Sequence, residues 1–269
     1  MTDPATYPLS FLPAAGAASE AADAGFRFGA KGTHTSRTMM FDELSQVLAA
    51  TPTEAKRQDY SSAIIEGNCL SKPTAATRRL TNQRLGELYG LDPSVPVFRV
   101  LRRLWEFESD GRRLLALLIS IARDPLLAAT APSIIFLPTN AGFQRDDMKI
   151  ALRAVVGGRL NDSTLDKVCR NAASTWAQSA HLVGRTFKKR RSVNPAPAAV
   201  TFALYLAHAA GFRGAEIFSS PWLRVLDCDP SRARHLALEA KRLGLLDLRM
   251  SGEVVELNLS RLDPYSARA

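Results

Sequence analysis

The chain has 269 residues, 46% of them hydrophobic, with a net charge of +9 and a pI near 9.8. That is ample apolar material for a packed core of one large or two modest domains, and the basic balance favours polyanionic partners. It excludes a simple membrane span, since the longest apolar run, residues 114–122, is far short of the roughly 20 residues a membrane helix needs.

Residues 1–32 are rich in Ala, Gly and Pro without periodicity and read as a disordered tail. Helical signals start at Thr35. Phe41, Leu44, Val47 and Leu48 mark one short helix. Thr51-Pro52-Thr53-Glu54 has the form of a capping box with Pro at the first helical position, opening a helix that runs to Glu66 and ends at Gly67-Asn68. Ser71-Lys72-Pro73-Thr74 starts another, through Ala76, Leu80, Leu85 and Leu88 to Gly90. Two helices joined by a short turn, the second carrying Lys72, Thr74, Thr77, Arg78, Arg79, Asn82 and Arg84, have the form of a helix-turn-helix. Short polar side chains at such a helix start suit base edges or phosphates. An ordinary helical hairpin with an exposed basic face is the alternative.

Residues 95–131 read as core. Phe98, Leu101, Leu104 and Trp105 line one helix, Asp110-Gly111 breaks it, and residues 114–121 are apolar nearly all round, as a central buried helix should be. Asp124-Pro125 restarts the chain as a short helix, and a further helix spans residues 145–156 before Gly157-Gly158 closes it.

Asn161-Asp162-Ser163 offers caps for a helix to about Ala180, with Leu165, Val168, Cys169, Ala172, Ala173 and Trp176 on one stripe. His181-Leu182-Val183-Gly184-Arg185 follows, then the short cationic run Thr186-Phe187-Lys188-Lys189-Arg190-Arg191, closed by Asn194-Pro195. Between 167 and 191 stand Lys167, Arg170, Arg185, Lys188, Lys189, Arg190 and Arg191, with no acidic residue. Such a cluster can neutralise phosphates and gain affinity by counterion release. The alternative is a solvated charged loop between two domains.

After Pro195 and Pro197, residues 199–210 make a buried helix, and Ser220-Pro221 starts a short one. Asp229 and Pro230 then cap a helix through Ala233, Leu236, Ala240 and Leu243, which Gly244 stops. Two alternating runs flanking Ser251-Gly252 read as a hairpin. Helix, helix, helix and hairpin is the order of a winged helix, whose outward face would carry Ser231, Arg232, Arg234, His235, Lys241 and Arg242. Winged helices also dock proteins, so a solvated or partner-facing helix is the alternative.

No catalytic constellation emerges. His34, His181, His208 and His235 share no metal-ligand spacing, and Cys69, Cys169 and Cys228 form no C-x-x-C pair. Gly29-Ala30-Lys31-Gly32-Thr33 misplaces the Lys of a phosphate loop. Glu239-Ala240-Lys241, preceded by Asp227 and Asp229, lies on an expected helix rather than on the strands a metal-dependent nuclease uses. The unpaired cysteines fit a reducing, cytoplasmic setting, and Met1-Thr2-Asp3-Pro4 lacks the cationic start of a signal peptide.

In this arrangement the chain resembles the BrxA family of bacterial BREX phage-defence systems. The resemblance rests on residues 64–68 leading to Thr77-Arg78-Arg79-Leu80, on the helical middle, on residues 163–171 running into Ala180-His181-Leu182-Val183-Gly184, and on Val193-Asn194-Pro195. It implies a mostly helical, non-enzymatic accessory protein that binds DNA through helix-turn-helix and winged elements, beside a methyltransferase and other defence subunits. The long Ala/Gly-rich start departs from that pattern, as does the length of the second hairpin.

The expectation is therefore a mainly α, cytoplasmic protein without enzymatic activity, cofactor or metal. A helical domain with a helix-turn-helix would span residues 33–158, and a basic helix-hairpin plus a C-terminal winged helix with short β-hairpin wings would span 159–269. Its partner would be double-stranded DNA held chiefly through phosphates, together with other defence-system subunits. A protein-docking scaffold and a dimeric winged-helix regulator with palindromic sites are the rivals.

Overall fold

Two helices that are apolar on nearly every side organise the molecule. In the computed structural model, which describes residues 10–12, 18–29, 31–107, 109–251 and 254–263, they are α6 (Arg112–Arg123) and α11 (Pro197–Ala209). Every residue of 114–123 and of 198–207 is buried. A helix buried all round must be wrapped by others. Around α6 pack α4 (Ala75–Tyr89), α5 (Pro96–Trp105) and α7 (Pro125–Thr130), and around α11 pack α5, α12 (Pro221–Arg224) and α13 (Pro230–Arg242). The remaining helices are α1 (Ala18–Ala24), α2 (Phe41–Ala50), α3 (Arg57–Ile65), α8 (Pro132–Ile135), α9 (Arg145–Val156) and α10 (Asp162–Gln178). Two small antiparallel pairs complete the described fold: β1 (Leu182–Val183) with β2 (Lys189–Arg190), and β3 (Asp247–Ser251) with β4 (Val254–Asn258). The protein is thus mainly helical.

Local chemistry sets most boundaries. The Asn161 side chain accepts from the Thr164 amide at 2.9 Å and starts α10, while Asp229 accepts from Ser231 and Arg232 at 2.9 and 3.0 Å and starts α13. Gly244 follows α13 in a left-handed conformation, φ +72°. The residues flanking Gly252 pair as a tight hairpin, Ser251 opposite Val254, although Gly252 itself lies outside the described residues.

Three expectations are corrected. Thr51 does not open a helix. It ends α2, its hydroxyl donating to the Val47 carbonyl at 2.8 Å, and α3 begins at Arg57, where Asp59 accepts from the Lys56 amide at 2.7 Å. The α3–α4 connection is accordingly residues 66–74, longer than a helix-turn-helix turn. Nor is the described part of 1–32 a free tail. Ala21 of α1 is fully buried, and the Phe11 and Phe26 rings lie 4.8 and 5.5 Å from Trp222. Aromatic packing on the last third of the chain supplies the apolar burial that composition alone did not reveal.

The packing is also continuous across 158/159. Helix α10 lies against α9, α7 and α6. Fully buried His34 bridges Asp124 and Thr175, its Nδ1 and Nε2 lying 2.8 Å from Asp124 Oδ2 and 2.7 Å from Thr175 Oγ1. Burial alone would raise the Asp124 carboxyl, but attraction and hydrogen bonds from His34 outweigh it and hold it below its ordinary value. Among the described residues, one buried apolar cluster has members from Ala21 through to Leu262.

No single helix among the described residues is long and apolar enough to cross a membrane. Helix α6 and residues 125–135 are apolar together but meet at 106°.

Candidate nucleic-acid interface

The cationic run of 185–191 is built around the two-stranded β1–β2 hairpin. The irregular segment 140–143 lies along the free edge of β2, with an isolated bridge between Gly142 and Lys189: the Asn140 and Phe143 amides donate to the Arg190 and Lys188 carbonyls at 2.8 Å each, and the Arg190 amide donates to the Ala141 carbonyl at 2.9 Å. On the other edge β2 meets β1, with Leu182 opposite Arg190 and Val183 opposite Lys189. The chain order is thus the bridging segment 140–143, α9, α10, then the β1–β2 hairpin. Residues 184–188 form the tip.

Gly184 makes the tip possible. Its φ is +107°, and a Cβ there would sit 2.2 Å from the Phe187 carbonyl oxygen, inside contact distance. Lys188 Nζ donates back to the Gly184 carbonyl at 3.1 Å. The Phe187 ring stands outside this closure, with 87% of its surface in solvent.

Between the hairpin, α10 and the start of α9 lies an open groove of about 580 Å³, lined by Phe143, Arg145, Arg170, Arg185, Phe187, Lys188 and Lys189, with Asp146 as its acidic member. Arg145, Arg170, Arg185, Lys188 and Lys189 make no ion pair among the described residues. Arg170 makes a long 3.4 Å contact to the Asp166 carbonyl, and the Asp166 carboxyl is held below its ordinary value first by Lys149 and further by the charges of Arg145 and Arg170. Lys167 and Arg191 are exposed on the adjoining surface. By contrast, the nearby Lys149 and Arg153 are held by Asp166 and Asp162.

Arg190 is the exception within the run. Alternation along β2 turns it inward, leaving 3% of its side chain exposed. Its guanidinium pairs with Asp227, donates to the Ile134 carbonyl at 2.9 Å and also reaches the Arg191 carbonyl. Asp227 in turn accepts from the Val193 amide at 2.8 Å. The expectation that Arg190 contacts phosphate is therefore corrected: it is a buried strut.

The other two anticipated surfaces are more neutralised. On α4, Lys72 pairs with Glu43 at 3.1 Å and Arg84 with Glu87 at 2.7 Å. Thr74 caps the helix by accepting from the Thr77 amide at 3.1 Å, so both threonines are engaged locally. Arg78 is half-buried and Arg79 exposed. On α13, Arg232 reaches Asn194, and the Arg234 guanidinium lies 5.3 Å from the Phe218 ring centre. His235 lies 3.2 Å from Glu239, and Lys241 donates to the Leu248 carbonyl at 2.8 Å. Arg242 is exposed. The hairpin beside α13 is of mixed charge, with Arg249 facing Glu256 and Arg261 facing Asp247.

Arg145, Phe143 and the presentation of Phe187 were not anticipated. Phe187 was visible inside the cationic run, and an aromatic among phosphate-binding cations was the available signal. Arg145 and Phe143 lie more than 35 residues away from it in sequence, and the backbone hydrogen bonds of 140–143 to β2 bring them near. Among the described residues no three His, Cys, Asp or Glu side chains converge as a metal set. No protein-family model matches this chain, and no curated protein matches it either.

Proposed function

We propose that this protein binds duplex DNA through its phosphate backbone, using the β1–β2 hairpin and α10 as a wing and its neighbouring recognition helix. The observation that carries this reading is the groove with five cations that make no ion pair among the described residues, at the end of a unit in which residues 140–143, α9, α10 and the β1–β2 hairpin follow in order. Free cations are what a phosphate-binding surface needs, because each phosphate neutralised releases condensed counterions. Paired cations are poorer candidates, since an anionic ligand must first displace the acidic partner. The α4 and α13 surfaces are therefore secondary in this reading, despite their similar sequence charge. Winged-helix character and a non-enzymatic role beside other phage-defence subunits, in a cytoplasmic setting, belong to the same proposal.

Anisotropy of a labelled duplex of random sequence, titrated with salt, tests it. Binding should weaken steeply with salt and be indifferent to scrambling of the duplex, with a log–log slope of about −0.9 for each phosphate engaged. Absence of binding at low salt would overturn the reading.

A further inference from the structure

We propose that Phe187 is an apolar wedge that enters a base step of duplex DNA while the cations around it hold the flanking phosphates. This rests on the phosphate-binding reading and adds to it the part of DNA that the hairpin tip contacts.

Among the described residues, Phe187 is the most exposed of the large hydrophobic side chains, at 87%. A single exposed apolar side chain is ordinary on a protein surface, so what sets Phe187 apart is its place: a phenyl ring at a shaped hairpin tip among cations has a large apolar area to bury when a surface arrives to cover it. The tip is not a loose loop: the positive φ at Gly184, the approach of the Phe187 carbonyl to it and the Lys188 closure at 3.1 Å fix where the ring points from.

The surroundings decide the occupant. Arg185 precedes the ring, Lys188 and Lys189 follow it, and Arg145 and Arg170 stand across the groove. A ring surrounded by unpaired cations suits a ligand that is flat and apolar inside and anionic outside, which is a stacked base step between two phosphate strands. Proteins that kink DNA use Phe in this way, unstacking a step and gaining protein surface against the bent duplex. The two next most exposed apolar side chains among the described residues lack that setting. Val254, 71% exposed, belongs to the hairpin where Arg249 faces Glu256, and Ile150, 70% exposed, follows Lys149, which Asp166 holds.

The test uses an alternating thymine–adenine duplex, whose pyrimidine–purine steps unstack most readily, with 2-aminopurine replacing some adenines. The intact protein should raise 2-aminopurine fluorescence on binding. Phe187→Ala should lose that rise and bind about tenfold more weakly, by the same log–log salt slope, and Phe187→Leu should recover part of the rise. Because the ring is solvent-exposed, neither substitution should unfold the protein, and circular dichroism would check this. If Phe187→Ala matches the intact protein in affinity and fluorescence, the wedge is rejected while phosphate binding stands. If the ring matters for affinity but the intact protein never raises fluorescence, the ring contacts DNA outside the stack and the wedge is again rejected. If the intact protein binds no duplex, phosphate binding fails and the wedge with it.

Discussion

At the residue scale, neighbouring cations of one sequence run have opposite roles. Lys189 is exposed and unpaired, whereas Arg190 beside it is buried against Asp227. Removing one partner of a buried pair leaves the other charge uncompensated, which costs about 3–5 kcal/mol. Arg190→Ala should therefore destabilise the fold by that order in urea unfolding, and Lys189→Ala by less than about 0.5 kcal/mol. Equal effects would show that the inward turn of Arg190 is wrong. His181, a few residues before the hairpin, gives a pH signature. It is fully buried, with Nε2 2.7 Å from the Val225 carbonyl and Nδ1 2.9 Å from Ser179 Oγ. Burial lowers its pKa from 6.5 to about 4, although the Val225 hydrogen bond opposes this and nearby Arg190 adds to it. The folded value being the lower one, the unfolded chain takes up more proton between pH 6.5 and about 4. Stability should be whole above pH 6.5 and fall as pH drops towards 4, by about 3 kcal/mol from this group. His208, also lowered chiefly by burial, acts in the same direction. His181→Gln should flatten the dependence between pH 7 and 5, and an unchanged slope would contradict the assignment.

At the element scale, helix starts and stops proved readable because they are short-range chemistry. Asn161 before α10, Asp229-Pro230 before α13 and Gly244 after it are each recognisable within four residues, and the structure places them as expected. Asn161→Ala should cost about 1 kcal/mol in unfolding free energy. Thr51-Pro52-Thr53-Glu54 misled because a Thr hydroxyl serves a helix end as well as a helix start, and here it bonds back to Val47. The bridging segment at 140–143 had no local signal, since it is irregular and its hydrogen bonds to β2 go to residues 188–190. The inward turn of Arg190 was hidden for the same reason: its partner lies 37 residues on. The candidate site was thus half legible, as a cationic run after a capped helix, while the groove that joins it to Arg145 required long-range pairing. At the hairpin tip, Gly184→Ala meets both a positive φ and a backbone oxygen. It should distort residues 184–188 and lower DNA affinity more than it lowers stability, and a variant that binds normally would argue against a shaped tip.

At the scale of the whole molecule, a net charge of +9 says little about where DNA would sit. Three helix faces carry basic residues at similar density in the sequence. Pairing separates them: Glu43 and Glu87 temper α4, Glu239, Asp247 and Glu256 temper the α13 unit, and the β1–β2 groove retains five cations without an ion pair. One buried cluster with members from Ala21 through to Leu262 holds these faces on one packed framework. The central claim is that the first hairpin, rather than total charge, carries DNA binding. The most direct measurement compares three variants of equal charge change by salt-titrated anisotropy: Arg185→Ala/Lys188→Ala/Lys189→Ala, Lys72→Ala/Arg79→Ala/Arg84→Ala, and Arg232→Ala/Lys241→Ala/Arg242→Ala. The first should reduce the log–log salt slope by about 2 to 3 and the other two by less than 1. Equal reductions by all three would mean that diffuse charge, not the hairpin groove, attracts the duplex, and the account would fail.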